Sequence, residues 1–220
     1  MNQAIVSMLP YAVGVALSPL PIVAVILMLL SKKAKLNSIV FVLGWILGVS
    51  IILGVVLYML TGQNTIVIDH STSNRVLIIL GIVLLFMAYR RFKKRSKPGE
   101  QPTIPKWLST IDNFSPVKAF LLAIALVALN LKNLPLIIAG GIAISEVNGS
   151  VQETATAAII FVIIAVITVV APAIFYLIAG SKITKQMTDI KQWLMYNNST
   201  ILAVLFLIIG IFLLAKGLGR

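Results

Sequence analysis

Residues 128–144, ALNLKNLPLIIAGGIAI, hold a lysine, two asparagines and a proline in the middle of a long apolar run. Lys132 lies 15 residues past the start of that run (117) and 12 before its end (144), too deep to snorkel easily to a membrane surface. An ammonium near a bilayer midplane costs about 3 kcal/mol on insertion scales, and the amides of Asn130 and Asn133 need partners of their own. Carboxylates do not supply them. The six acids, Asp69, Glu100, Asp112, Glu146, Glu153 and Asp189, all read as loop or span-end residues. Three arrangements stay open: Lys132 braces the fold through carbonyls and hydroxyls, it is held as the neutral amine, or it faces a cavity that admits water and an anionic substrate. In the third, the chemistry is recognition of an anion, with no bond made or broken.

The elements that would position these groups follow from composition. Of 220 residues 60% are hydrophobic and 11% charged, with a mean hydropathy of +1.06. Runs of 18 or more apolar residues are what a hydrocarbon layer of about 30 Å demands. The sequence predicts an all-α polytopic membrane protein with six transmembrane helices, near 4–30, 38–60, 74–91, 117–144, 152–180 and 199–216. Lysine and arginine cluster after the first, third and fifth spans, at Lys32, Lys33 and Lys35, at 90–97, and at Lys182, Lys185 and Lys191. By the positive-inside rule those loops are cytoplasmic and both termini lie outside, in a cytoplasmic membrane of bacterial type. The net charge of +12 is thus accounted for by topology; it calls for no nucleic acid, though YRRFKKRSK at 89–97 suits anionic lipid headgroups on the cytoplasmic face.

The same orientation makes residues 1–91 and 117–220 two three-helix repeats of inverted topology, joined by a basic linker at 92–116. Both leading spans, 27 and 28 residues long, would measure about 40 Å as helix. Each carries helix-breaking chemistry near its centre: Ser18, Pro19 and Pro21 in ALSPLPIV, and Asn130, Lys132, Asn133 and Pro135 in LNLKNLPLI. Tilt accommodates a long helix and isolated proline kinks are common, but paired interruptions at corresponding places point to a transporter's central site. These seven residues are the candidate substrate-binding set, with Thr168 and Pro172 of the fifth span as secondary candidates.

Several chemistries lack their groups. There is no cysteine, so no disulfide, thiolate metal site or thiol relay. No nucleotide-binding loop occurs, and His70 is a lone histidine in a loop, so no metal or cofactor is expected. With no mid-span carboxylate, Lys132 is the one mid-span group besides tyrosine able to carry a coupled proton; sodium coupling and passive exchange also stay open. Ser18 has no base near it in sequence, and the chain is expected not to be an enzyme. Gly44, Gly48 and Gly54 read as close-packing positions that could also support a homodimer, and Trp107 as a headgroup anchor. Segment 182–196 sets Ile183, Met187, Ile190 and Leu194 on one face, which predicts an interfacial helix on the cytoplasmic surface.

The stretch YAVGVALSPLPIVAVILMLLSKKAKLNSIVFVLGWILGV at 11–49 closely resembles the opening of the glycopeptidolipid- and sulfolipid-addressing (GAP) proteins, within the lysine exporter (LysE) superfamily. It shares a small-residue stretch, a Ser-Pro-x-Pro break, a short basic loop and a Gly-Trp-x-x-Gly helix. Asn130, Lys132, Asn133 and Leu134, followed by Gly140 and Gly141, match that family's Asn-Pro-Lys-Asn-Leu segment. Leu131 stands where the family has proline, with Pro135 four residues later, which shifts the expected break by about one turn. The resemblance implies an inner-membrane carrier of two inverted repeats, exporting a small or lipid-linked substrate of glycolipid type by alternating access. The absence of cysteine removes the superfamily's electron-carrying branch, and a single central cation suits an anionic substrate better than a cationic amino acid. An amino-acid exporter of the LysE type and a non-transporting accessory subunit of an envelope export or synthesis complex are the alternatives.

Overall fold

A computed structural model describes residues 2–61, 70–95, 111, 114–130, 132–147 and 149–219. Trp107, Leu131, Asp69, Glu100, Asp112 and most of the 92–116 linker lie outside the described residues, as does the side chain of His70. All regular structure described is helical: α1 (Asn2–Ala16), α2 (Pro19–Leu29), α3 (Ala34–Thr61), α4 (His70–Lys93), α5 (Pro116–Ala128), α6 (Asn133–Ser145), α7 (Val151–Ala179), a 3-10 turn (Gly180–Ile183) and α8 (Thr184–Gly217).

Both long apolar runs that carry prolines are broken. Helices α1 and α2 meet at 50°, and α5 and α6 at 64°. In each case the prolines begin the second half-helix. Pro19 is its first residue and Pro21 its third; Pro135 is likewise third in α6. The first amides of a helix have no intrahelical partner, so a proline there forfeits no hydrogen bond while its ring prevents the preceding helix from continuing. Pro10 and Pro172, by contrast, sit inside α1 and α7 without ending them.

Helices α3, α7 and α8 are long and apolar enough to cross a membrane, and counting each bent pair as one span gives five. Large apolar side chains such as Ile51, Val55, Ile163 and Ile208 point outward along them, a surface suited to lipid and not to water. Among the described residues three to five spans meet the test of length and composition, where the sequence predicts six. Helix α4 falls short because its apolar stretch, residues 76–89, is bracketed by Arg75 and by Arg90 and Arg91.

Of segment 182–196, expected as an interfacial helix, residues 182–183 end the 3-10 turn and 184–196 are the first part of the 34-residue α8. No proline or glycine interrupts the chain between Thr184 and Ile209, and Met187 and Leu194 on the apolar face are buried within the protein. Protein covers part of that face, while Ile190 on it stays 50% exposed.

Packing pairs α1 with α6 and α7, α3 with α5, α6 and α7, α2 with α3, α7 and α8, and α4 with α8. Glycines permit the closest approaches. A Cβ on Gly44 would lie 2.9 Å from the Phe120 carbonyl oxygen, and one on Gly48 would lie 3.0 Å from Val127. These two glycines are therefore occupied by α5, whereas Gly54 meets no atom within 4 Å. At Gly140 a Cβ would run into the fully buried Phe161 ring. Gly140→Ala is expected to destabilise the fold by about 1–3 kcal/mol through overpacking, while Gly54→Ala leaves it unchanged or raises it by about 0.5–1 kcal/mol through helix propensity. Unfolding midpoints of the two variants in detergent check this, and equal effects would contradict the packing described.

Candidate functional site

Asn130 builds the second break. Its side-chain Oδ1 accepts from the Lys132 backbone N–H at 3.1 Å, and its own carbonyl accepts from the N–H groups of Asn133 and Leu134 at 2.9 and 3.2 Å. This is the Asx-type use of a short amide, which offers the backbone a turn in place of helix. The turn leaves Lys132 as the residue that caps the start of α6, with its side chain 2% exposed.

Ser18 occupies the corresponding position before α2. The two meet: Lys132 Nζ donates to Ser18 Oγ at 3.0 Å, and Ser18 Oγ donates to Asn133 Oδ1 at 2.9 Å. Ser18, Lys132 and Asn133 are all buried, and among the described residues no carboxylate lies within ion-pair distance of Lys132. Asn133 Nδ2 is buried without a hydrogen-bond partner. A donor left unpaired in the interior costs about 1–3 kcal/mol, so the cluster retains amide and amine capacity that the protein itself does not saturate.

Thr168 ties a third element to the site. Its hydroxyl donates to the carbonyl of Ala16, the last residue of α1, which the break deprives of its intrahelical donor. Thr168 thus acts as a brace for the first break. Pro172, inside α7, and Pro135 are half-buried, and neither reaches the cavity described next.

A cavity of about 370 Å³ opens beside the breaks, lined by Asn130 and Lys132, by Leu122, Leu126 and Leu129 of α5 and its end, and by Leu20, Arg91 and Phe206 from α2, α4 and α8 among others. Of the residues singled out in the sequence, only Asn130 and Lys132 face it. Ser18 and Asn133 stand behind Lys132 as its hydrogen-bond partners, and Pro19 and Pro21 are buried in the start of α2. Arg91 was missed. Its position in a basic run after a span gives the same sequence signal whether it sets topology or lines a site.

The hydroxyl–amine contact of Ser18 and Lys132 invites a nucleophile–base reading. The surroundings do not support one. Ser18 Oγ donates to an amide oxygen and accepts from the amine, the reverse of a hydroxyl poised to be deprotonated. Pro19 and Pro21 also remove two of the first backbone donors that could have formed an oxyanion hole at the start of α2. Among the described residues no group of His, Cys, Asp or Glu could hold a metal ion.

An all-helical membrane protein, with two broken helices joined through their capping residues beside a cationic cavity, is the class these observations define. The chain belongs to the Sap, sulfolipid-1-addressing protein, family, whose sequence model matches residues 8–219. No curated protein matches the chain. No solved structure matches it either.

Proposed function

We propose that this protein is a secondary carrier that moves an anionic, lipid-linked substrate out of the cytoplasmic leaflet by alternating access between two inverted three-helix repeats. The observation that carries the reading is the hydrogen bond between Lys132 and Ser18, equivalent positions of the two halves, at the centre of both broken spans. Membership of a family named for sulfolipid addressing favours a lipid over an amino acid. The superfamily and its amino-acid exporters have no such support in the chain's own features.

Packing favours the inverted repeat. Exchanging the halves turns α1 into α5, α2 into α6, α3 into α7 and α4 into α8. The α1–α7 contact then maps on α5–α3, α2–α7 on α6–α3, and α3–α7 and α4–α8 on themselves. The correspondence is not complete: α2 packs on α8 more extensively than α6 on α4, and α1 meets α8 where α5 has no comparable contact with α4. The largest departure is a third pair. Helix α1 packs along α6, but α5 has no comparable contact with α2, and the cavity lies between those two. With lysine-rich ends cytoplasmic, that arrangement is a carrier open to the inside and closed outside. In this reading α4, flanked by arginines that snorkel, is the sixth span, and both termini are outside. The half-helices α2 and α6 direct their positive N-terminal ends at the centre, which suits an anion.

The test is reconstitution of the full chain into phosphatidylcholine vesicles containing a labelled anionic glycolipid, following its arrival in the opposite leaflet. Transfer faster than in protein-free vesicles, with labelled phosphatidylcholine unaffected, is the expected result. No acceleration would favour the accessory subunit, and a chemically altered lipid would favour an enzyme.

A further inference from the structure

The cavity is too small for a whole lipid. At 370 Å³ it lies near the lower end of small-molecule sites, about 300–1,000 Å³. Two acyl chains alone, taken at about 30 Å³ per carbon by analogy with a water molecule, would fill on the order of 1,000 Å³. Its polar groups come from two elements. Lys132 and Asn130 sit at the break and Arg91 comes from the last turn of α4, while the described lining offers no carboxylate. Two cations and an amide ask for a compact anion.

The wall nearest the break is open sideways. Leu129, the first residue beyond α5, lines the cavity and yet is 78% exposed. It lies midway along the bent α5–α6 pair, and Leu121, two turns earlier, faces outward at 58%. At that depth outward means hydrocarbon. A smaller cavity of about 270 Å³, lined by Phe86, Met87, Arg90, Arg91 and Lys94, shares Met87 and Arg91 with the first and extends it toward the lysine-rich end.

We propose that the cavity takes only the anionic headgroup of a membrane lipid, between Lys132 and Arg91, while the acyl chains stay in the bilayer and leave through the side opening at Leu129. The proposal rests on the carrier reading and deepens it. The headgroup enters along the arginine-lined extension at the cytoplasmic end, and the chains follow outside α5. Because only the headgroup is enclosed, chain length is not selected, whereas charge is.

Photo-crosslinking in phosphatidylcholine vesicles tests it, with a phosphatidylglycerol probe carrying a diazirine on its headgroup and peptide mapping by mass spectrometry. In the parent protein the probe is expected to label cavity residues such as Leu126 and Phe206. Leu129→Trp fills the opening at an exposed position that tolerates bulk; it should reduce this labelling to the background seen with Lys132→Met, while Leu129→Ala keeps it. Cavity labelling that persists in Leu129→Trp but disappears in Lys132→Met overturns the side opening and leaves the carrier reading standing. No cavity labelling in the parent overturns both.

Discussion

Lys132→Met is expected to reduce lipid transfer about tenfold or more, the loss of one ion-pair's worth of recognition at a buried site, while leaving the protein as stable as the parent or more so. The sign of the stability change is the informative part. The ammonium carries an insertion penalty of about 3 kcal/mol, and its bond to Ser18 Oγ returns about 1.5–3 kcal/mol, as for hydrogen bonds to charged groups. Removing both terms leaves a difference between zero and about 1.5 kcal/mol in favour of the variant. Methionine fills similar space, and Ser18 keeps its bond to Asn133 Oδ1, so no new buried polar group is created. A brace would behave in the opposite way. If Lys132 serves only to hold the two breaks together, the variant unfolds at a lower temperature and transfers lipid in proportion to its folded fraction. Melting curves in detergent and transfer assays on the same preparations separate the two, and a large loss of stability with normal specific transfer would end the substrate-binding reading of Lys132.

The breaks were open to reading from sequence because their cause is local. A proline cannot donate an amide, wherever the chain later packs, so Pro19, Pro21 and Pro135 mark interruptions in any fold. That the two interruptions meet is an expectation resting on the inverted-repeat reading. Which atoms meet is not. Asn130 and Asn133 look alike in sequence, yet one shapes the turn through Oδ1 and the other accepts from Ser18, a division set by three-dimensional position. Asn130 makes the turn before α6 with its side-chain and backbone oxygens, which its type alone does not announce. Arg91 was hidden by a second role with the same signature. Segment 182–196 shows the limit of periodicity, which reports an apolar face without naming what covers it: Met187 and Leu194 are buried by protein, Ile190 is not, and the helix runs on from Thr184 into the last apolar stretch.

Locking the outer end should stop transfer altogether. Glu146, which caps the C-terminal end of α6, pairs with Lys216 near the end of α8 at 2.7 Å, and Tyr11 of α1 packs edge-on against Phe212 of α8. These contacts join α1, α6 and α8 on the side opposite the lysine-rich loops. If the α1–α6 seam is the closed gate, the exchanged state must part it and bring α2 toward α5. Glu146 and Lys216 both belong to the second repeat, so the pair that spans the halves is Tyr11 of the first and Phe212 of the second, with ring centroids 5.9 Å apart. Contact between α1 and α8 has no comparable counterpart between α5 and α4, so exchanging the two states parts it. The chain has no cysteine, and Tyr11→Cys combined with Phe212→Cys creates a single reactive pair. A short, reducible bis-thiol crosslinker across it is expected to bring transfer to the protein-free rate and to restore it on reduction. The same reagent leaves either single variant and the parent active. Truncating the buried Tyr11 costs about 3–5 kcal/mol, so the melting curve of the uncrosslinked double variant is recorded beside its transfer rate, which is the reference for the locked protein. A lock can only hold a protein in a state whose abandonment the cycle requires. Undiminished transfer through the crosslinked protein would mean that the outer end never opens, and the lipid would then have to cross along the outside of the bundle.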